Sequence, residues 1–328
     1  MLRGIVKNLI PYGIVNRRIE KKQKSLSIGK VEEPVIYNSF NERMRVFYLQ
    51  DSAAKFQYSF TAGRESRYIF WDRDNARLPI HFYTHEEIFN TLGVPTKKFA
   101  VILEPESMAC FMDSFKKLLT SSISDDFVRV FTTSETLLNK LKNAELFLGM
   151  GCWYGCSSGG GAIDEKRCLK KLKLVSMVSS NKSLLPLHRR RLELVNHLKQ
   201  MGNVDIYGSF NGGSNVKMNI ALDDYMFNIA FESDWSAYYF SERILSCFAS
   251  MTIPIYVGTD NIGKWFNIDG IIMADKDNLF DSIETIIKNK CTPEYYNERL
   301  EAIQDNFNRV QNYLSIDDYI YRTYHELF

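Results

Sequence analysis

The chain has 328 residues, 45% hydrophobic and 24% charged, enough for two domains with cores of their own. A formal net charge of +2 implies neither a nucleic-acid binder nor a trap for acidic substrates. No apolar run reaches membrane-spanning length and no signal-peptide pattern opens the chain, so a cytoplasmic protein is expected.

Residues 1–24 differ in pattern from the rest of the chain. Leu2, Ile5, Val6, Leu9 and Ile10 recur at helical spacing, Pro11 stops the pattern, and Arg17, Arg18, Lys21, Lys22 and Lys24 form a basic run. An apolar face followed by cations suits peripheral contact with an anionic membrane; the alternative is a helix packed on its own domain with a solvated tether. From residue 25 to 160 strands are expected at Val46–Leu49, Tyr68–Trp71, Phe99–Leu103, Phe127–Phe131 and Glu145–Leu148. Helices Ser107–Leu119 and Ser134–Leu141 intervene, each opened by a serine suited to N-capping. Gly149–Gly161 has the most flexible composition in the chain, which places a domain boundary there. Cys152, Cys156 and Cys168 fall in and after it, but their spacing is not a zinc knuckle and unpaired thiols are expected.

Residues 161–311 repeat the alternation. Strands are expected at Leu172–Val178, Val204–Tyr207, Met226–Phe231, Ile253–Val257 and Ile271–Met273, with helices Arg189–Met201, Glu242–Ser250 and two more from Leu279 and Glu294. A last helix is expected in residues 312–328, with packing back on the first domain as one option for it. The pattern predicts two Rossmann-like, doubly wound α/β domains facing across a cleft, with ligands outside the carboxyl ends of the strands.

The stretch Tyr225–Gly258 carries the chemistry. A strand ends in Glu232-Ser233-Asp234, an aromatic loop follows, and Ser241 caps a helix whose first turn holds Glu242 and Arg243. A phosphate at that end would meet Arg243 and the Tyr239 hydroxyl, while Glu242 would accept from vicinal sugar hydroxyls. A capped helix with surface ion pairs is the plain alternative.

This segment resembles the donor-binding motif of the alpha-1,3-fucosyltransferase family, in Phe231, Glu232, Tyr239, Ser241, Glu242, Ile253, Pro254 and Gly258. It departs at Ser233, where the family has Asn, and at Arg243, where it has Lys. Ser180-Asn181, the run His188–Leu192 and Asp205–Gly208 are similar to the same family. The resemblance implies a GT-B fold and inverting transfer of fucose from GDP-fucose, without a metal, to a glycan acceptor in surface polysaccharide or lipopolysaccharide synthesis. It implies donor binding by Arg191 (Arg190 as fallback), Glu232, Tyr239, Glu242 and Arg243.

Inverting transfer needs a base, and Glu104, at the end of the Phe99–Leu103 strand, matches the position of the family's proposed base; Glu106 is the fallback. If Glu106 instead caps the following helix, Glu104 is merely exposed. Thr132, Thr133 and Gly151-Cys152-Trp153 read as acceptor-side lining. Two rivals remain: a metal-dependent transferase using Asp72 and Asp74 as a D-x-D pair, and a non-catalytic carbohydrate-binding relative.

Overall fold

A computed structural model describes residues 31–51, 64–93, 95–164 and 170–328; the amphipathic segment 1–24 and Cys168 lie outside the described residues. Among the described residues the first sheet has seven strands: β1 (Ile36–Tyr37), β2 (Arg43–Gln50), β3 (Ile69–Trp71), β4 (Ile80–Thr84), β5 (Lys97–Ile102), β6 (Arg129–Thr132) and β7 (Ala144–Leu146). All but β1 are parallel, which is why they read as continuous apolar runs: both faces of such a sheet are covered. Strands β3 and β4 both pair with β2, so the direction of strand addition reverses there. The second sheet, β8 (Lys173–Val178), β9 (Asp205–Tyr207), β10 (Tyr225–Phe231), β11 (Ile253–Val257) and β12 (Ile272–Met273), is wholly parallel, in the order β12-β11-β10-β8-β9. Its reversal lies between β8 and β10. Both halves are therefore doubly wound α/β domains, as expected.

Two different apolar layers sandwich the first sheet. Helices α1 (Glu106–Ala109), α2 (Asp113–Thr120) and α3 (Glu135–Lys140) bury Ala109, Phe115, Leu118 and Leu137 against Val46, Tyr48, Ala100 and Val130. The opposite face, with Phe47, Phe82, Phe99 and Phe131, is covered from the far end of the chain. Beyond α4 (Pro186–Met201), α5 (Met218–Leu222), α6 (Glu242–Ala249), α7 (Leu279–Lys290), α8 (Pro293–Asn297) and α9 (Leu300–Val310), helix α10 (Ile316–Tyr324) leaves the second domain and inserts Ile316, Ile320 and Tyr324 there. Polar contacts fix its register: Trp71 Nε1 donates to Asp317 Oδ1 at 2.5 Å, and Ser66 Oγ donates to Asp318 Oδ1 at 2.9 Å.

Three local expectations need correction. Strand β4 has no counterpart in the sequence reading because His81 interrupts its apolar run; the ring is buried, with Nδ1 2.7 Å from the Tyr83 hydroxyl and Nε2 2.8 Å from the Leu78 carbonyl oxygen. The helix expected over Ser107–Leu119 is two, because Met112 is extended and the amide of Ser114 turns to the Glu86 carboxylate. Helix α4 begins at Pro186, a residue preorganised for the first turn, so Arg189, Arg190 and Arg191 lie one turn further in than expected.

Ile320 is fully buried in the aromatic layer of the first sheet. Ile320→Ala should cost about 2–5 kcal/mol in urea unfolding. A loss below about 1 kcal/mol would show that α10 contributes little to that core.

Candidate active site

A cavity of about 570 Å³ opens beside the carboxyl ends of β8 and β9, where Val178, Ser179, Ser180, Gly208 and Ser209 line it. With Glu242 and Arg243, from the helix that follows β10, also lining it, the cavity reaches the β8–β10 switch point, where open α/β sheets place ligands. Gly208 is required there: its φ is +101°, and a Cβ would fall 2.4 Å from the Ser179 carbonyl oxygen.

Helix α4 presents Arg191 to this cavity. The side chain is only 2% exposed. Its Nε donates to Ser179 Oγ at 3.1 Å, and its Nη2 donates to the carbonyl oxygens of Ser180 and Lys182, each at 3.2 Å. Burial, and then the neighbouring Arg243, push its pKa down to about 10. Arg190, the fallback, points elsewhere, with Nη2 donating to the Lys276 carbonyl oxygen at 3.4 Å. Lys182 also lines the cavity, so among the described residues three cations face it.

Helix α6 supplies the third of them. Ser241 caps it, accepting from the Arg243 amide at 3.3 Å. Glu232, at the end of β10, accepts from the Ser241 amide at 2.9 Å and from its hydroxyl at 2.5 Å, and Arg243 Nη1 lies 3.5 Å from it. Glu232 is completely buried and lies behind the cavity wall, so its contacts are to Ser241 and Arg243 rather than to a ligand. Tyr239 is likewise absent from the lining; its hydroxyl sits 3.5 Å from Ser233 Oγ. Glu242 and Arg243 do line the cavity, with Arg243 Nη1 3.6 Å from Glu242 Oε1. Burial opposes the charge on Arg243, but Glu242 and Glu232 outweigh it and raise its pKa. Burial pushes Glu232 up to about 7, against the pull of Arg243.

The segment expected to be a flexible boundary is built into this cavity. Trp153, Ser158 and Gly159 line it, and Trp153 is 44% exposed. The Gly159 carbonyl accepts from the Asn219 amide at 3.1 Å, and a Cβ on Gly159 would overlap the Trp153 carbonyl oxygen at 1.8 Å. Trp153 was expected on the acceptor side and belongs instead to the second-domain cavity. Thr132 and Thr133, also expected to line the acceptor side, are buried at the end of β6. Lys182, Asn215, Val216 and Met218 carry no motif that would have marked them as lining.

Across the cleft, Glu104 is exposed at the end of β5, one residue after Leu103. Glu106 is otherwise engaged: Ser134 Oγ donates to it at 2.5 Å and the Thr136 amide at 3.2 Å, with a further bond from the Thr136 hydroxyl. The fallback base therefore caps α3 rather than its own helix. The two sides are tied by Asp234, which accepts from the Ser107 amide at 2.9 Å and the Ser236 amide at 2.7 Å, and by Glu135, which accepts from the Ala237 amide at 3.1 Å. Asp72 turns its carboxylate back on its own loop, accepting from the amides of Asp74 and Asn75 at 3.1 Å each.

Residues 168–297 match the family model described as glycosyltransferase family 10 (fucosyltransferase) C-term. An alpha-(1,3)-fucosyltransferase, FucT, of Helicobacter pylori is 34% identical over 95 residues, a stretch that spans 29% of this chain and 20% of that protein. A solved alpha1,3-fucosyltransferase with GDP is similar at a TM-score of 0.48 and 17% identity, over 89% of this chain and 95% of that one. TarM is similar at 0.45 and 13%, over 77% of this chain and 55% of TarM. The cavity-lining Arg191, Glu242 and Arg243 all fall within the family 10 stretch, whereas Trp153 and Glu104 lie before it.

A carboxyl raised in the folded protein binds its proton more tightly there, so its contribution to stability is greatest below its unfolded value of 4.5 and is lost as pH rises through about 7. The stability of the protein relative to its Glu232→Gln variant should therefore fall across that window. Parallel unfolding curves for the two proteins from pH 4.5 to 8 would contradict the raised Glu232.

Proposed function

We propose that the protein is an inverting glycosyltransferase that moves fucose from GDP-fucose to a hydroxyl of a glycan acceptor. The observation that carries the reading is the convergence of Arg191, Glu242 and Arg243 on one cavity at the carboxyl edge of a family 10 sheet. The buried Arg191 and the half-buried Arg243 repel each other at the cavity wall, and a diphosphate bound there would offset that repulsion. Glu242 accepts from the ribose hydroxyls, and Trp153 offers a flat apolar wall.

In this mechanism Glu104 takes the proton of the acceptor hydroxyl as its oxygen forms a bond to the anomeric carbon. The bond from that carbon to the diphosphate breaks on the opposite face, and GDP leaves with the electron pair. Arg191, Lys182 and Arg243 stabilise the charge that develops on it. Because these cations come from the chain itself, the reading needs no metal.

Glu104→Gln keeps size but not basicity, and should lower kcat by about two to four orders of magnitude with GDP affinity unchanged. Arg243→Ala should weaken GDP binding as well as turnover. Turnover, followed as GDP release with hexose- and N-acetylhexosamine-terminated oligosaccharides, should survive EDTA. Near-normal turnover in Glu104→Gln would remove the base assignment, and loss in EDTA restored by manganese would favour Asp72 and Asp74.

Among the described residues no helix is long and apolar enough to cross a membrane. The apolar and basic spacing of residues 1–24 supports a peripheral role at the cytoplasmic membrane face, near lipid-linked acceptors of surface polysaccharide or lipopolysaccharide synthesis. A chain lacking these residues should lose low-salt co-sedimentation with anionic vesicles; equal co-sedimentation would refute the attachment.

A further inference from the structure

The pairing of β4 with β5 ends at Thr84 opposite Val101. Beyond it the chain on the β5 side runs on to Leu103 and Glu104, whose amides have left the ladder. On the β4 side the next residue is His85. Its φ is +45°, in the left-handed region that non-glycine residues seldom occupy. That turn ends the strand and sends the imidazole across the gap, where Nε2 lies 3.2 Å from the Leu103 nitrogen and 3.4 Å from the Glu104 nitrogen. A side chain thus takes over where the backbone ladder stops, at the edge where β4 returns to β2 and the sheet reverses.

Accepting two N–H bonds requires an unprotonated Nε2, so the ring is the neutral tautomer with its proton on Nδ1. Burial lowers the pKa of His85 and keeps it so, although the carboxylates of Glu104, Asp51 and Glu86 pull the other way. The rest of the loop is held as firmly. Residue 105 is proline and has no amide to satisfy, Glu106 is bound by Ser134 and Thr136, and Ser107 donates to Asp234. His85 is therefore the only one of these anchors that grips Glu104 itself.

We propose that His85 is a positioning residue for the Glu104 base: by accepting the amides of Leu103 and Glu104 it fixes where the carboxylate meets the acceptor. The proposal rests on the assignment of Glu104 above. Without the acceptor nitrogen the loop loosens and the carboxylate wanders, while the GDP cavity in the other domain is untouched.

His85→Phe keeps a ring of similar size without the acceptor, and His85→Gln returns an acceptor at similar reach; each carries a backbone penalty at this positive φ. His85→Phe should speed amide exchange at Leu103 and Glu104 and lower kcat by about 10- to 100-fold, with GDP affinity within about twofold of the parent. His85→Gln should restore most of both. In a Glu104→Gln background, His85→Phe should cause no further loss, because it acts through the missing base. Equal damage from Phe and Gln, or an additional loss in the Glu104→Gln background, overturns the proposal. If Glu104→Gln itself turns over normally, the base assignment fails, and exchange at Leu103 and Glu104 still decides whether His85 holds the loop.

Discussion

The carboxylate of Asp234, with Glu135 beside it, ties the two domains together at the cleft by directional hydrogen bonds. It belongs to the second domain, where it accepts from the Ser236 amide, and it also accepts from Ser107 in the first. Burial works against its charge, yet the bonds from Ser107 and Ser236 outweigh that and hold its pKa down. The loop bearing Glu104 and the loop leading into the Ser241 cap are thereby joined through one side chain. Were the domains connected by apolar contact alone, the distance between a base and a donor cavity would be set by nothing directional; a hydrogen-bonded carboxylate sets it.

Behind the cavity the same economy of charge recurs. Glu232 does not line the cavity but supports a residue that does, holding the Ser241 cap and balancing Arg243. Arg191 is likewise gripped by Ser179, Ser180 and Lys182 before any ligand arrives. Cations fixed in this way lose little freedom on binding an anion, which is what preorganisation means in energetic terms.

Much of this was legible in the sequence, for identifiable reasons. Strands such as Ile253–Val257 are buried on both faces and so announce themselves as apolar runs. The Ser241 cap and the charges after it are local, and local chemistry is what a sequence displays. Strand β4 was hidden because the partners that satisfy His81, Tyr83 and the Leu78 carbonyl, become visible only once the chain is folded. The Gly149–Gly161 segment misled for the converse reason. Its glycines permit close approach to Trp153 and Tyr154 rather than looseness, and composition alone does not separate the two uses. His85 left no signal at all, since its role exists only through two amides eighteen and nineteen positions further on.

The return of α10 to the first sheet has a consequence for how the protein is made. Phe47, Phe82, Phe99 and Phe131 leave the ribosome long before Ile316, Ile320 and Tyr324, and the entire second domain is synthesised between them. At about 5–20 residues per second, that aromatic face waits on the order of ten seconds or more for its cover. The domain begun first is thus completed last. During that interval it depends on chaperones, or on a provisional collapse, to keep four phenylalanines out of water.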